Sequence, residues 1–398
     1  MSEGRRPLRV LHVVEVFGSG VGIVAKTLAE RQAEAGEQVA IAHGRCPETP
    51  AEVRGFVAAE VELFELPWEH RSIGEQLRAR KALRALVGDW RPQVVHLHSS
   101  FAGMVGGLAL PAELPSVYTP HGYSFTMRDR GAAKRAAFRA LERFTAGRVE
   151  VVGAVSEAEA ADARRVAAPA KVCVVPNGIP ELDGDLAISR SDRGGRPRVV
   201  TIGRIAEQHI PAETAAILAG LADLADVSWV GGNGRSPDLD DLVRSHGVEV
   251  TGWIERDEVQ EILRSAACCL HWTAWDGLPL SILEALACDV VVVARDIAAT
   301  REILGPRQVC DSPAAAVRLL REILTDTDLR EELLAEQRRR RVRFGSRRMA
   351  AGWRDVYDRI AGPATGLNPE WPNSPQAAPG PRSGRRSRRY ESSPGAAP

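Results

Sequence analysis

Short apolar runs alternate with longer stretches of helical periodicity twice along this 398-residue chain, and a polar segment separates the two series. A strand buried on both faces reads as a continuous apolar run, and each crossover to a parallel neighbour needs a helix-sized connection. The alternation therefore predicts parallel sheets covered by helices. The first series places strands at residues 9–14, 39–42, 94–97, 117–119, 151–155 and 172–175, with helices between them such as 23–35, which stops at Gly36. Residues 183–197 carry Gly194, Gly195 and several charges and read as a linker. The second series places strands at 199–202, 227–230, 248–251, 269–271 and 290–294. Two such α/β halves put a ligand cleft between the carboxyl ends of their sheets.

The predicted organisation is a first Rossmann-like domain over residues 1–185, a linker over 186–197, a second Rossmann-like domain over 198–345, a helix over 346–361 and a tail over 362–398. Residues 329–343 form a charged helix. The helix after it carries Met349, Trp353, Val356, Tyr357 and Ile360 on one face. The tail is rich in Pro, Gly, Ser and Arg and cannot bury enough apolar area to order itself. Its basic stretch at 382–389 is a solvated tail or a weak attraction to anionic lipid.

Formal net charge is zero, so no global field favours nucleic acid. Six scattered cysteines lack metal-ligand spacing and read as buried thiols of a reducing compartment. The first apolar run is too short for a signal segment, and no stretch reaches the length of a membrane span. A cytoplasmic location follows, with the inner face of the membrane as an option.

The densest chemical information lies in Trp275-Asp276-Gly277-Leu278-Pro279-Leu280-Ser281-Ile282-Leu283-Glu284-Ala285. Pro279 suits the first turn of a helix, where its missing N–H is no loss. Asp276 then lies on the preceding loop and Glu284 inside the helix, about 7–8 Å away along the axis. Between the two carboxylates sits a helix N-terminus, which attracts phosphate. Carboxylate, phosphate cradle and second carboxylate together suit a nucleotide-sugar.

This segment resembles the paired-glutamate motif of the retaining GT-B glycosyltransferases of family 4, with Asp276 standing where the family commonly has glutamate. The resemblance implies that the first acid contacts the donor sugar and that Glu284 holds the ribose. It extends from about residue 9 to residue 360. Gly203-Arg204 after a strand resembles the start of the family's diphosphate clamp, in which an Arg and a Lys five residues on stabilise the leaving group. Arg204 matches, and His209 occupies the Lys position. A diphosphate neighbour would keep His209 charged; the opposing reading is a drifted, inactive site. Gly18-Ser19-Gly20-Val21-Gly22, with His12-Val13-Val14-Glu15 before it, resembles bacterial polysaccharide-assembly members and marks Gly20 and Gly22 as donor-facing. No suitably spaced acid makes it a dinucleotide fingerprint. Thr119-Pro120-His121-Gly122-Tyr123-Ser124-Phe125 resembles capsule and exopolysaccharide enzymes, in which the His lies near donor sugar and acceptor. The Val155-Ser156-Glu157 and Pro176-Asn177-Gly178 stretches match architectural landmarks, with Ser156 as a helix N-cap. Gly231-Gly232-Asn233-Gly234 matches a turn near the nucleotide. At Thr251-Gly252-Trp253 backbone groups of the family meet the base, and Trp253 packs on the base or in the core.

His96 and His98 alternate with apolar residues on one side of a strand. They are core histidines or cleft wall, and no metal is expected because no carboxylate shares their spacing. Residues 128–148 form a basic amphipathic helix carrying Arg130, Lys134, Arg135, Arg139 and Arg143, with Phe138, Leu141 and Phe144 interleaved. It suits either an anionic membrane surface or plain solvation.

These features together imply a GT-B fold, its last helix returning to the first domain. The implied activity is transfer of a sugar from a nucleoside diphosphate-sugar to a hydroxyl acceptor with retention, in polysaccharide, glycolipid or other glycoconjugate assembly. The acceptor is lipid-linked in one option. Catalytic roles fall to His121, Arg204 and Asp276, and donor binding to Gly20, Gly22, Arg204, His209, Gly252, Trp253, Gly277, Leu278, Leu280 and Glu284. No cofactor is expected beyond the donor substrate. The alternatives are a non-hydrolysing sugar-nucleotide epimerase and a catalytically weak sugar-nucleotide-binding subunit.

Overall fold

The computed structural model describes residues 6–46, 49, 52–127, 131–182, 195–232 and 237–362. Most of the expected linker, the whole tail after Gly362, Arg130, and Asn233 and Gly234 of the glycine turn lie outside the described residues.

Two parallel sheets form. The first orders its seven strands β3 (Glu62–Glu65), β2 (Gln38–His43), β1 (Arg9–Val14), β4 (Val94–His98), β5 (Ser116–Thr119), β6 (Val151–Ala154) and β7 (Val172–Val174). The second orders six as β10 (Glu249–Val250), β9 (Asp226–Val230), β8 (Arg198–Ile202), β11 (Cys268–His271), β12 (Val291–Arg295) and β13 (Val309–Cys310). Strand order reverses between β1 and β4 in one sheet and between β8 and β11 in the other. At those points neighbouring connections leave toward opposite faces and open a crevice at the strands' carboxyl ends. This is the two-domain α/β architecture implied by the sequence.

Edge strands β3 and β13 were not anticipated. Each is short: Glu62-Leu63-Phe64-Glu65 has no period-2 pattern, and Val309-Cys310 is two residues long. The helix Leu280–Ala287 has Pro279 at its N-cap, one position earlier than expected, with an extended ψ of 117°. All six cysteines are buried thiols.

The helix Ser346–Ala361 returns to the first domain. Met349, Trp353, Val356, Tyr357 and Ile360 recur at helical spacing and pack with Leu8, Val10, Val24, Leu28, Val94 and Val117. Each such large side chain contributes about 1.5–3 kcal/mol on burial. Trp353 lies against Gly153, where a Cβ would come within 2.2 Å of its ring. Among the described residues no helix is long and apolar enough to cross a membrane.

Candidate active site

Two cavities meet where the sheets face one another. The first, of about 450 Å³, is lined by Gly20 and Val21 of one domain and by Arg204, His209, Leu280 and Ser281 of the other, among others. The second, of about 680 Å³, runs from Tyr123, Phe125 and Met127 toward Arg165, Trp275 and Ile297. His121, Gln208 and Asp276 line both.

Anion-binding character arises in the first cavity from the backbone. The helix Gly20–Glu34 and the helix Leu280–Ala287 both begin there, so unpaired N–H groups and two positive dipole ends converge. A Cβ on Gly20 would lie 3.6 Å from Leu280 Cδ1, which shows how closely the two N-termini approach. Gly22 stands two residues further into the helix and serves the turn: its Cβ would lie 1.9 Å from the Phe17 carbonyl oxygen. Arg204 is exposed at the rim.

The loop after β8 is strained at the site. Ile210 adopts φ +44°, which a β-branched side chain rarely tolerates. The bend seats His209 over Gly203 and edge-on to His271, with ring centroids 5.8 Å apart. Burial first, then His271, lowers the His209 pKa to about 4, with Asp276 opposing and Arg204 adding to the shift. His209 is therefore neutral in the ligand-free cleft at pH 7.

Asp276 Oδ1 accepts a hydrogen bond from the Gly277 N–H at 2.9 Å, and its Oδ2 lies 3.5 Å from His271 Nε2. This fixes the carboxylate at the junction of the cavities. Gly277 and Leu278 follow it along the cleft wall. Glu284 sits inside the helix and does not line either cavity. Its Oε1 lies 3.3 Å from Arg256, which also binds Glu181, and burial raises its pKa. Gly252 (φ +73°) and Trp253 stand at the tip of the second sheet. Trp253 is 73% exposed, so it is not a core residue, and it lines neither cavity.

Four groups in this region escaped the sequence reading. Gln208 joins both cavities, and its side chain donates to the Trp275 carbonyl at 2.9 Å. Glu159 accepts from the backbone N–H groups of Val155 and Gly122, and so holds the left-handed turn His121-Gly122. Burial pushes Glu159 up to about 7 against those two hydrogen bonds. Glu302 of the second domain accepts from the Glu157 N–H at the start of a first-domain helix. Gln32 anchors the histidines behind His121. Ser156, the expected N-cap, accepts from the Glu159 N–H and also donates to the Gly277 carbonyl across the cleft.

His96 and His98 are both buried; His98 faces His121 at 3.0 Å. The basic helix spans Ala132–Arg148 and packs Glu142, Thr145 and Ala146 inward, leaving Phe144 at the surface beneath the Arg148 guanidinium.

Residues 18–181 match the family described as Glycosyltransferase Family 4, and residues 196–326 match Glycosyl transferases group 1. An Escherichia coli UDP-Gal:alpha-D-GlcNAc-diphosphoundecaprenol alpha-1,3-galactosyltransferase is 26% identical, over 61% of this chain and 68% of its own. A putative teichuronic acid biosynthesis glycosyltransferase of Bacillus subtilis is 23% identical over 80% and 88%. Among solved structures, a sucrose-phosphate synthase from Thermosynechococcus elongatus superposes with a TM-score of 0.76 at 18% identity, over 88% of this chain and 99% of that one.

Proposed function

We propose, for a chain that belongs to the family 4 and group 1 glycosyltransferases and shares their GT-B fold, that the cleft transfers a sugar from a nucleoside diphosphate-sugar to a hydroxyl acceptor with retention. The observation that carries this reading is the meeting of two helix N-termini and Arg204 in one cavity, which joins a second cavity at His121, Gln208 and Asp276. In this reading the diphosphate occupies the N-termini, the sugar lies toward His121 and Asp276, and the acceptor enters through the larger cavity.

Catalysis is then mainly electrostatic. Charge builds on the diphosphate as the glycosidic bond breaks. Fixed N–H dipoles and Arg204 are already oriented toward it, so they stabilise the transition state without reorganisation. The acceptor hydroxyl arrives at the junction from the leaving-group side, which is the geometry that retention without a covalent intermediate requires. Glu284 reaches the ribose by exchanging its contact with Arg256. The relatives named for undecaprenyl-linked and teichuronic acid chemistry support a glycoconjugate acceptor, including a lipid-linked one. The helix Ala132–Arg148 is the surface proposed to meet an anionic membrane.

The test is a panel of nucleoside diphosphate-sugars screened by thermal stabilisation, since a ligand that binds the folded state raises its apparent stability. Proton NMR of the product from the stabilising donor then gives the anomeric configuration. Stabilisation by no member of the panel, or an inverted product, refutes the reading.

A further inference from the structure

A row of histidines runs behind the cleft, from His12 within β1 and His96 and His98 on β4 to His121 in the loop after β5. His12 Nε2 faces Gln32 Oε1 at 2.8 Å, and His12 Nδ1 faces His98 Nε2 at 3.0 Å. His98 Nδ1 in turn faces His121 Nε2 at 3.0 Å. His96 makes a side branch, with Nδ1 2.7 Å from the Tyr357 hydroxyl and Nε2 2.8 Å from Thr119 Oγ1. The ring nitrogens of His12, His96 and His98 are close enough to suggest a metal trio. All six of those nitrogens are already hydrogen-bonded, so a metal ion would have to break the network to bind.

All four rings are held neutral, because burial pushes each pKa down: His12 to about 4, His121 to about 3, and His96 and His98 well below the usual range. A neutral imidazole has one donor and one acceptor, so the direction of the first hydrogen bond fixes every later one. Gln32 supplies that direction. Its amide oxygen is the atom that faces His12 Nε2, at 2.8 Å, and an amide oxygen only accepts. His12 Nε2 therefore carries the proton and donates it to Gln32. His12 Nδ1 must then accept from His98 Nε2–H, and His98 Nδ1 from His121 Nε2–H. His121 Nδ1 is left as a lone pair with no hydrogen-bond partner among the described residues, on a ring that lines both cavities.

We propose that Gln32, His12 and His98 are positioning residues that lock His121 as the Nε2–H tautomer, presenting Nδ1 as a hydrogen-bond acceptor for a sugar hydroxyl at the junction of the two cavities. The proposal rests on the reading of this cleft as a glycosyl-transfer site. The left-handed backbone of His121, at φ +54°, fixes the ring from its other end.

Long-range nitrogen–proton correlation spectra of the full chain, labelled at histidine and free of ligand, read the tautomers directly. Each of His12, His98 and His121 is expected to show a protonated Nε2 and an unprotonated Nδ1. Gln32→Met removes the anchor with little change of shape, and His121, three links away, should then average between tautomers. Gln32→Glu keeps an acceptor toward His12 and should restore the single His121 tautomer. In UDP-galactose hydrolysis kcat should fall severalfold in Gln32→Met with KM little changed, and recover in Gln32→Glu. A wild-type His121 protonated at Nδ1 overturns the tautomer assignment. A His121 signal unmoved in Gln32→Met overturns the relay. If no nucleotide-sugar binds the wild-type protein, the functional reading fails while the spectra still decide the tautomer.

Discussion

His209 allows a sharp test of donor binding, because its charge state differs between the empty and the occupied cleft. In the empty cleft the imidazole is held at about 4, against an ordinary value of 6.5. A diphosphate beside the ring favours the protonated form and raises its pKa in the complex. Restoring the ordinary value alone is worth about 3 kcal/mol, at about 1.36 kcal/mol per pKa unit. Below pH 4 the ring is protonated with or without donor, and affinity is highest. Between the two pKa values binding takes up a proton, so affinity falls about tenfold for each unit of rising pH. Above the complex pKa the ring is neutral in both states and the curve is flat. For a complex pKa of 6.5 the expected change is about thirtyfold between pH 5 and pH 8. The assay is titration calorimetry with a non-hydrolysable nucleoside diphosphate-sugar, whose phosphates do not titrate in that range. His209→Lys should bind tightly and independently of pH, since an ammonium stays protonated there, and should preserve or raise activity. His209→Ala should be weak and flat. A wild-type curve that superposes on that of His209→Ala refutes the argument and moves weight to the reading of an inactive, sugar-nucleotide-binding subunit.

Arg204→Ala should leave thermal stability nearly unchanged, because the side chain is exposed, while costing about 2–4 kcal/mol of transition-state stabilisation in steady-state turnover; unchanged turnover removes Arg204 from the clamp. Glu284→Gln should weaken binding of the free nucleoside diphosphate as well as the donor, whereas Asp276→Asn should spare the free nucleotide and damage sugar recognition. Equal losses of nucleotide affinity in calorimetry would show that the two carboxylates do not divide the work. Gly153→Ala should destabilise the protein by about 1–3 kcal/mol in denaturant unfolding, because the new methyl group meets the Trp353 ring and Thr119; a neutral result would mean the returning helix is loosely docked.

The sequence made the sheets and the phosphate cradle legible for one reason: both are local. A buried parallel strand is a run of apolar residues, and a helix N-terminus after Asp276-Gly277-Leu278-Pro279 is a pattern within a few positions. The edge strands β3 and β13 lacked such a pattern, because an edge position asks less of its residues and two residues show no period. What could not be read was the set of partners that tertiary structure supplies. Glu284 is an evident candidate in its helix, but its contact with Arg256 depends on how a neighbouring helix packs. Trp253 left base stacking and core packing open, and its exposure removes the core.

The histidines show the same division more clearly. Alternation within Val94–His98 puts His96 and His98 on one face of β4, and that much is visible in the chain. Their roles then diverge because of what approaches from elsewhere. His96 meets Tyr357, 261 positions away, and becomes a satisfied core group; His98 meets His121, which lines the cleft, and supports it from behind. The tautomer of His121 is decided one step further off, by the orientation of one amide on the helix Gly20–Glu34. Residue type and spacing specify which atoms can donate or accept. The direction in which a buried chain of neutral groups actually runs is a property of its terminus, and here the terminus is Gln32, whose amide oxygen faces His12. A substitution at Gln32, which lines neither of the two cavities, is therefore expected to reach the reacting groups through hydrogen-bond direction, with the packing of the cleft unchanged.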